Sequence, residues 1–324
     1  MKERFSVDQK DFPGPVVVTG AGGCIGSWVL ALLARSGVKA CAFDLSEDKR
    51  RPRLLMSESD LENVQWLTGD IGDTATVMRI LEGVRPCAVI HLAALQVPFC
   101  KADPVAGARV NVVGTVNVFE AARKLGIKRL AYASSIAAYG AMDEGHGAMH
   151  TLYGAYKHCD EQIALVYSGD WGVASVGIRP GVVYGVGRDQ GLTSKTTLAI
   201  LAAAAGKPYE VPFTGGVSWL YTGEVASAFV RAVSRERTGA PVFDMNGVYA
   251  PVEEGLKILK QIAPSAKVTS SGQALAFPMH LPDEPLRAFL GDYGRMPLEE
   301  GIRETYEAFR SLVGRGVLAA PESV

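Results

Sequence analysis

The chain has 324 residues, 48% of them hydrophobic, with 33 Lys+Arg against 34 Asp+Glu and a formal net charge of -1. That length suits one large domain or two intimate ones, and the balanced charge gives no general pull toward nucleic acid or an anionic membrane. Cys24, Cys41, Cys87, Cys100 and Cys159 are scattered and form no C-x-x-C pair, so neither a zinc site nor a disulfide framework is expected, and a cytoplasmic location is. The opening MKERFSVDQKDFPGP has no apolar run of a signal peptide, and TLAILAAAA is too short to span a bilayer.

PVVVTG (Pro15–Gly20) reads as a short buried strand. A glycine-rich turn follows, then a helix over CIGSWVLALLARSG that stops at Gly37. VKACAFD predicts a second strand ending in Asp44, and VQWLTGD (Val64–Asp70) a third. Asp73 can cap a helix over DTATVMRILEG, and CAVIHLAA predicts the fourth strand. One long helix is predicted over DPVAGARVNVVGTVNVFEAARKLG: Asp103 caps it, Pro104 suits its first turn and Gly126 ends it. RLAYASS predicts a fifth strand, LYGAYKHCDEQIAL (Leu152–Leu165) a helix, and VASVGIRP a sixth strand. Nearly all-apolar strands alternating with helices mark a parallel sheet buried on both faces, so the expected fold is α/β, a doubly wound Rossmann sheet.

Beyond Pro180 the rhythm changes. A helix is predicted near Ser194–Ala205, short strands around Tyr209–Phe213 and Ser218–Tyr221, a helix at Gly223–Val233, the strand PVFDMN and a C-terminal helix. The stretch from Ser265 to Pro297 gives no clear pattern. The expected division is 1–180 for a dinucleotide-binding domain and 181–324 for a smaller substrate-binding portion interleaved with it.

The dinucleotide expectation starts from TGAGGCIG, which spaces Gly20, Gly23 and Gly26 as G-x-x-G-x-x-G between a strand and a helix. The first glycine lets the chain turn, the second lets backbone approach a pyrophosphate, and the third lets helix and strand pack closely. The helix start at Cys24 and Ile25 then favours the anion. Asp44 ends the second strand, where a carboxylate can accept both adenosine ribose hydroxyls and repel a 2′-phosphate, which favours NAD over NADP. Lys49, Arg50 and Arg51 close by in sequence keep NADP open.

YASSIAAYG puts Ser135 at the carboxyl end of the fifth strand, the edge where open α/β sheets bind ligands. Residues four apart share a helix face, so Tyr153, not its neighbour Tyr156, belongs with Lys157. Tyr156 is expected in packing. His91, at a buried strand end, reads as a satisfied core histidine rather than a base.

Jointly these features resemble the extended short-chain dehydrogenases/reductases, the NAD-dependent epimerase/dehydratase family. The resemblance runs from Val16 to about Gly185 and rests on the glycine turn, Asp44, GDI (Gly69–Ile71), HLAA (His91–Ala94), NVVGT (Asn111–Thr115), SSIAAYG, YGAYK and RPGVVYG (Arg179–Gly185). It implies that Asp70 and Ile71 flank the adenine and that Leu92, Ala93 and Ala94 run along the cofactor. It implies that Asn111, Pro180, Gly181, Ser135, Tyr153 and Lys157 surround the nicotinamide half. Tyr153 is then the general base when an alcohol is oxidised and the acid in reverse. A free phenol titrates at about 10, and Lys157 on the same face helps it ionise near neutrality. Ser135 would hold the substrate oxygen.

The resemblance weakens where nucleotide-sugar enzymes grip their diphosphate. Val182 stands where they have asparagine, Val217 where they have arginine, and no RxGD-like segment follows. A buried diphosphate needs paired partners, so a smaller substrate is expected: a sugar, sugar acid or hydroxy acid. Gln96, Ser135, Arg188, Thr193 and Ser194 are candidate contacts. The alternative is a sugar or nucleotide-sugar epimerase or dehydratase with transient oxidation, distinguished by whether NADH accumulates. A non-catalytic dinucleotide sensor would not need Ser135, Tyr153 and Lys157 together. A homodimer is expected, because the Asp103–Gly126 helix carries Val105, Val110, Val112, Val113, Val116, Val118 and Phe119, more than one core-facing stripe needs. The resemblance implies that this helix and the Tyr153 helix pair across a two-fold axis.

Overall fold

The computed structural model describes residues 4–141, 150–275 and 281–321. In chain order its strands are β1 (Val16–Thr19), β2 (Ala40–Asp44), β3 (Gln65–Thr68), β4 (Ala88–His91), β5 (Leu130–Ala133), β6 (Val176–Pro180), β7 (Val183–Tyr184), β8 (Tyr209–Val211), β9 (Gly216–Tyr221), β10 (Val242–Met245), β11 (Val248–Pro251) and β12 (Val268–Ser270). Its α-helices are α1 (Cys24–Arg35), α2 (Glu58–Glu62), α3 (Thr74–Val84), α4 (Val97–Ala102), α5 (Pro104–Ala108), α6 (Gly114–Leu125), α7 (Leu152–Trp171), α8 (Lys195–Ala204), α9 (Thr222–Ala232), α10 (Val252–Ile262), α11 (Glu284–Leu290) and α12 (Leu298–Gly314).

Among the described residues, seven strands form one parallel sheet in the order β10-β6-β5-β4-β1-β2-β3. The chain runs outward from β1 to β3, returns to β4 and then runs outward the other way. The carboxyl ends of β1 and β4 therefore flank a topological switch point, the crevice where such sheets bind ligands.

Side chains alternate across a strand, so consecutive valines serve different cores. Val16 and Val18 join the cluster that holds Trp28 and Leu30 of α1 and Phe229 of α9. Val17 joins the cluster of Val77 and Leu81 of α3, Val118 and Phe119 of α6, and Tyr167 of α7. Both faces of the sheet are covered, which is why the strands read as continuous apolar runs.

One expectation is corrected. The helix read from Asp103 to Gly126 is α5, a π-helical turn over Arg109–Val113, and α6. Asp103 does cap its start and Gly126 does end it in the left-handed conformation. The wider π turn presents Asn111, whose side chain pairs with both backbone groups of Leu95, at 2.7 and 3.0 Å. The PVFDMN strand, β10, comes late in the chain yet lies beside β6 as an edge of the main sheet, Val242 opposite Gly177 and Met245 opposite Pro180.

The remaining strands build a smaller layer over the sheet's ligand edge. β9 pairs with β7 in parallel and with β11 antiparallel, and β8 pairs with β12. Tyr184, Trp219 and Tyr221 meet edge to face, and Trp28 of α1 packs against Tyr221 at 5.3 Å, joining this layer to the first helix. The unpatterned stretch from Ser265 to Pro297 contains β12 and α11. Among the described residues no helix is long and apolar enough to cross a membrane.

Candidate active site

A cavity of about 620 Å³ runs along the carboxyl edge of the sheet. At one end is the glycine turn. Gly20 has φ 66° and a Cβ there would stand 2.7 Å from the Ala93 backbone nitrogen. A Cβ on Gly26 would stand 2.3 Å from the Gly20 carbonyl, so this glycine lets α1 start hard against β1. Gly23 is the N-cap of α1 and has no side chain to satisfy the helix's first N–H groups, which are left for a ligand anion. Burial pushes the Cys24 thiol up to about 11, so this turn carries no thiolate to oppose that anion.

Asp44 lines the cavity beyond the turn. It accepts the Gly22 N–H at 2.9 Å and the Leu45 N–H at 2.7 Å, which fix its orientation. The three cations that follow it are each paired: Lys49 with Glu47 at 2.6 Å, Arg50 with Asp48 at 2.6 Å, and Arg51 with Asp189 at 2.7 Å. None is left free for a 2′-phosphate. Asp70 and Ile71 line the same end, with Asp70 held by Gly72 N–H at 2.7 Å and Arg109 at 2.8 Å. Leu92, Ala93 and Ala94 form the floor past β4, where the Thr19 hydroxyl accepts the first two N–H groups at 3.2 Å.

At the far end Ser135, Tyr153 and Lys157 share the cavity with Pro180 and Gly181. Thr151 caps α7 by accepting from Gly154 N–H at 3.0 Å. Gly154 lets this helix lie against the turn after β5: a Cβ there would stand 2.3 Å from the Ala137 carbonyl. Tyr153 faces inward, and the Lys157 ammonium lies 5.9 Å from its ring centre. Tyr156 turns the other way and donates to the Pro104 carbonyl at 2.9 Å.

Sequence reasoning missed the acids beneath this pair. Lys157 is 3% exposed and meets the fully buried Asp160 carboxylate at 3.2 Å. Burial opposes its charge, but Asp160 and then Tyr153 outweigh burial and hold the lysine above its usual range. Burial pushes Asp160 up to about 6, against the pull of Lys157. The next residue, Glu161, takes Arg179 in a fork at 2.6 and 2.7 Å and also accepts from Ser134. Arg179 reaches on to Tyr139 and Asp244, so one charged network ties α7 to β6, β10 and the turn after Ser135. In sequence, Asp160 and Glu161 look like two solvated helix residues, and no signal marks them as buried.

Three expected positions lie off the cavity surface. Asn111 is fully buried and holds the Leu95 backbone from behind. Ser194 is buried and bonds back to the Gly191 carbonyl at 2.8 Å. Val217 is core, while Val182 does line the cavity. Gln96, Arg188 and Thr193 line it as well. His91 sits between the Thr19 and Thr115 hydroxyls at 2.7 and 3.2 Å, and burial, then Lys157, lower it to about 3, so it stays neutral.

The NAD dependent epimerase/dehydratase family matches residues 16–246. A UDP-glucose 4-epimerase of Mycolicibacterium smegmatis is 27% identical over 91% of this chain and 98% of its own length. A UDP-glucose 4-epimerase of Rhizobium leguminosarum is 32% identical, but over only 51% of this chain and half of its own length. The crystal structure of the Thermus thermophilus UDP-glucose 4-epimerase in complex with NAD is 26% identical, with a TM-score of 0.74 over 91% of this chain and 99% of that one. The L-threonine dehydrogenase of Clostridium difficile has a TM-score of 0.80 over 94% and 99%; at 19% identity that likeness is one of fold. The chain belongs to the NAD dependent epimerase/dehydratase family. Its cofactor is NAD, and the glycine cradle, the fixed Asp44 and the paired neighbouring cations fit that cofactor.

Proposed function

We propose that this protein is an NAD-dependent oxidoreductase acting on a secondary alcohol of a small polar substrate. The observation that carries the reading is the meeting of Ser135, Tyr153 and Lys157 in the same cavity as the glycine turn. NAD, when bound, supplies the acceptor for the hydride that leaves the alcohol carbon. The Ser135 hydroxyl holds the substrate oxygen, and the Tyr153 phenolate takes its proton. Lys157, buried and charged beside the ring, stabilises that phenolate, and Asp160 favours the ammonium against the opposing effect of burial.

The cavity wall supports a substrate without a diphosphate. Val182 offers no hydrogen bond there, and a phosphate docked against it would be desolvated without compensation. A second reading, an epimerase or dehydratase that returns the hydride to its substrate, draws support from the likeness to UDP-glucose 4-epimerases along nearly the whole chain. One experiment separates them. A panel of sugars, sugar acids and hydroxy acids is offered with NAD while absorbance of NADH is followed, and UDP, dTDP and GDP with their sugars are titrated calorimetrically into NAD-loaded protein. Sustained NADH release supports the dehydrogenase. Micromolar binding of a nucleotide sugar without NADH release makes the epimerase or dehydratase the better reading.

A cytoplasmic homodimer belongs to the same proposal. Val105 and Val113 on one side, and Leu165 and Val166 of α7 on the other, are exposed on helices that lie side by side. Val118 and Phe119 are spent in the core instead.

A further inference from the structure

Among the described residues, three cationic side chains line the cavity: Arg51, Lys157 and Arg188. Asp189 pairs with the first at 2.7 Å and Asp160 with the second at 3.2 Å. Arg188 has no carboxylate within 4.0 Å among the described residues. Its Nη2 donates to the Thr193 hydroxyl at 3.0 Å, while its Nε is buried with no acceptor. A guanidinium in a cavity without a counter-charge is costly, and it is the kind of group an incoming anion satisfies.

The loop that carries Arg188 is held at both ends. Trp28 Nε1 donates to the Val186 carbonyl at 2.9 Å, and Arg188 N–H closes a turn onto Gly185 at 3.1 Å. At the other end Ser194 bonds to the Gly191 carbonyl through both its N–H and its hydroxyl. Gly191 lies between Arg188 and Gln96: a Cβ on it would stand 2.5 Å from Gln96 Oε1 and 3.4 Å from Arg188 Nη2. Gln96 is the N-cap of α4, one residue after the Leu95 backbone that Asn111 clamps. The guanidinium is therefore held by a fixed loop beside Gln96, and its charge also reaches Cys24 at the start of α1.

We propose that Arg188 is a carboxylate anchor and that the substrates are small hydroxy acids rather than neutral sugars. This rests on the oxidoreductase reading above. The cofactor's own diphosphate already has the open N–H groups and the dipole of α1, so the guanidinium is not needed there. Around the anchor, Thr193 and Gln96 can take further substrate oxygens, while Val97, Val182 and Leu192 leave no partners for a second anionic group.

The test uses matched pairs that differ only in the acid: glycerate against glycerol, 3-hydroxybutyrate against butane-1,3-diol, gluconate against sorbitol. Each is titrated calorimetrically into the NADH-loaded protein and also offered with NAD for NADH formation. For the best pair the acid should bind about ten- to a hundredfold more tightly than its neutral partner, the range of a charge-assisted hydrogen bond. Arg188→Gln should erase that preference and leave NAD affinity unchanged, and Arg188→Lys should keep part of it. Equal binding of acid and polyol by the wild type overturns the anchor. So does an equal loss of NAD and acid affinity in Arg188→Gln, which would assign the guanidinium to the cofactor diphosphate. Turnover of each acid no better than that of its polyol, with neither changed by Arg188→Gln, removes the anchor and keeps the dehydrogenase. Binding of acids that depends on Arg188 without any NADH keeps the anchor and removes the dehydrogenase.

Discussion

Gly154→Ala isolates the contact that sets the distance between Ser135 and Tyr153. The new Cβ would lie 2.3 Å from the Ala137 carbonyl oxygen, a backbone atom that cannot swing aside. To restore an ordinary contact of about 3.5 Å the two segments must part by roughly 1 Å. One segment carries Tyr153 and Lys157, and the other follows directly on Ser135. A misplacement of about 1 Å between acting groups costs on the order of a hundredfold in rate, and the overpacking adds about 1–3 kcal/mol of instability. Gly169→Ala on the same helix is the control. A Cβ there meets nothing within 4 Å, so it should add about 0.4–1 kcal/mol of stability and leave the rate alone. The assay is kcat/KM on an alcohol that releases NADH, with thermal melting and NAD calorimetry in parallel. The reasoning fails if Gly154→Ala keeps wild-type kcat/KM while folded, or if its whole loss follows from lost NAD binding.

Tyr153→Phe should keep NAD binding and lose about a hundred- to ten-thousandfold in rate, whereas Tyr156→Phe should lose only about 1 kcal/mol of stability with its bond to Pro104. Dead Tyr156→Phe with active Tyr153→Phe would reverse the assignment. NAD should be preferred over NADP, and Asp44→Ala should narrow the gap; equal use of both by the wild type defeats this. Glu224 is 1% exposed, and burial pushes it up to about 7 against the pull of Met296 N–H and Arg287. A carboxyl raised in the fold favours the folded state below its unfolded value near 4.5, and that contribution is lost as pH rises through 7. In denaturant titrations Glu224→Gln should therefore gain on the wild type by up to about 3 kcal/mol between those pH values, and a pH-independent difference would refute it. Sedimentation should show a dimer at micromolar concentration and a monomer for Val166→Asp, whose side chain is exposed on α7; a monomeric wild type would remove that interface.

Much of the sheet was legible because parallel strands buried on both faces spell themselves as apolar runs, as PVVVTG does. Caps were legible too: Asp73 accepts from Thr76 N–H and Asp103 from Ala106 N–H, as helix caps do. Periodicity alone gave Tyr153 rather than Tyr156 the inward face. The π turn was not legible, since nothing in RVNVV differs from ordinary helix and only its contact with Leu95 explains it. The α10 segment VEEGLKILKQI does carry a helical signal, since Val252, Gly255, Leu256 and Leu259 fall on one buried stripe. Asp160 and Glu161 were beyond reach for another reason. A buried acid and a solvated one are the same letter, and only the arrival of Lys157 and Arg179 from the fold tells them apart.

The edge position of β10 bears on how the chain can come off the ribosome. Strand β6 ends at Pro180, but its outer neighbour ends at Met245, after the loop of Arg188, β8, β9 and α9 have been made. Until then β6 offers a row of unpaired N–H and C=O groups, and Arg179 waits for Asp244. A nascent or truncated chain stopping near residue 180 would hold a glycine turn and six sheet strands with one raw edge. Such an edge invites pairing with a second copy, so the shortest piece of this protein expected to stay in solution extends past β10 rather than stopping where the motifs do.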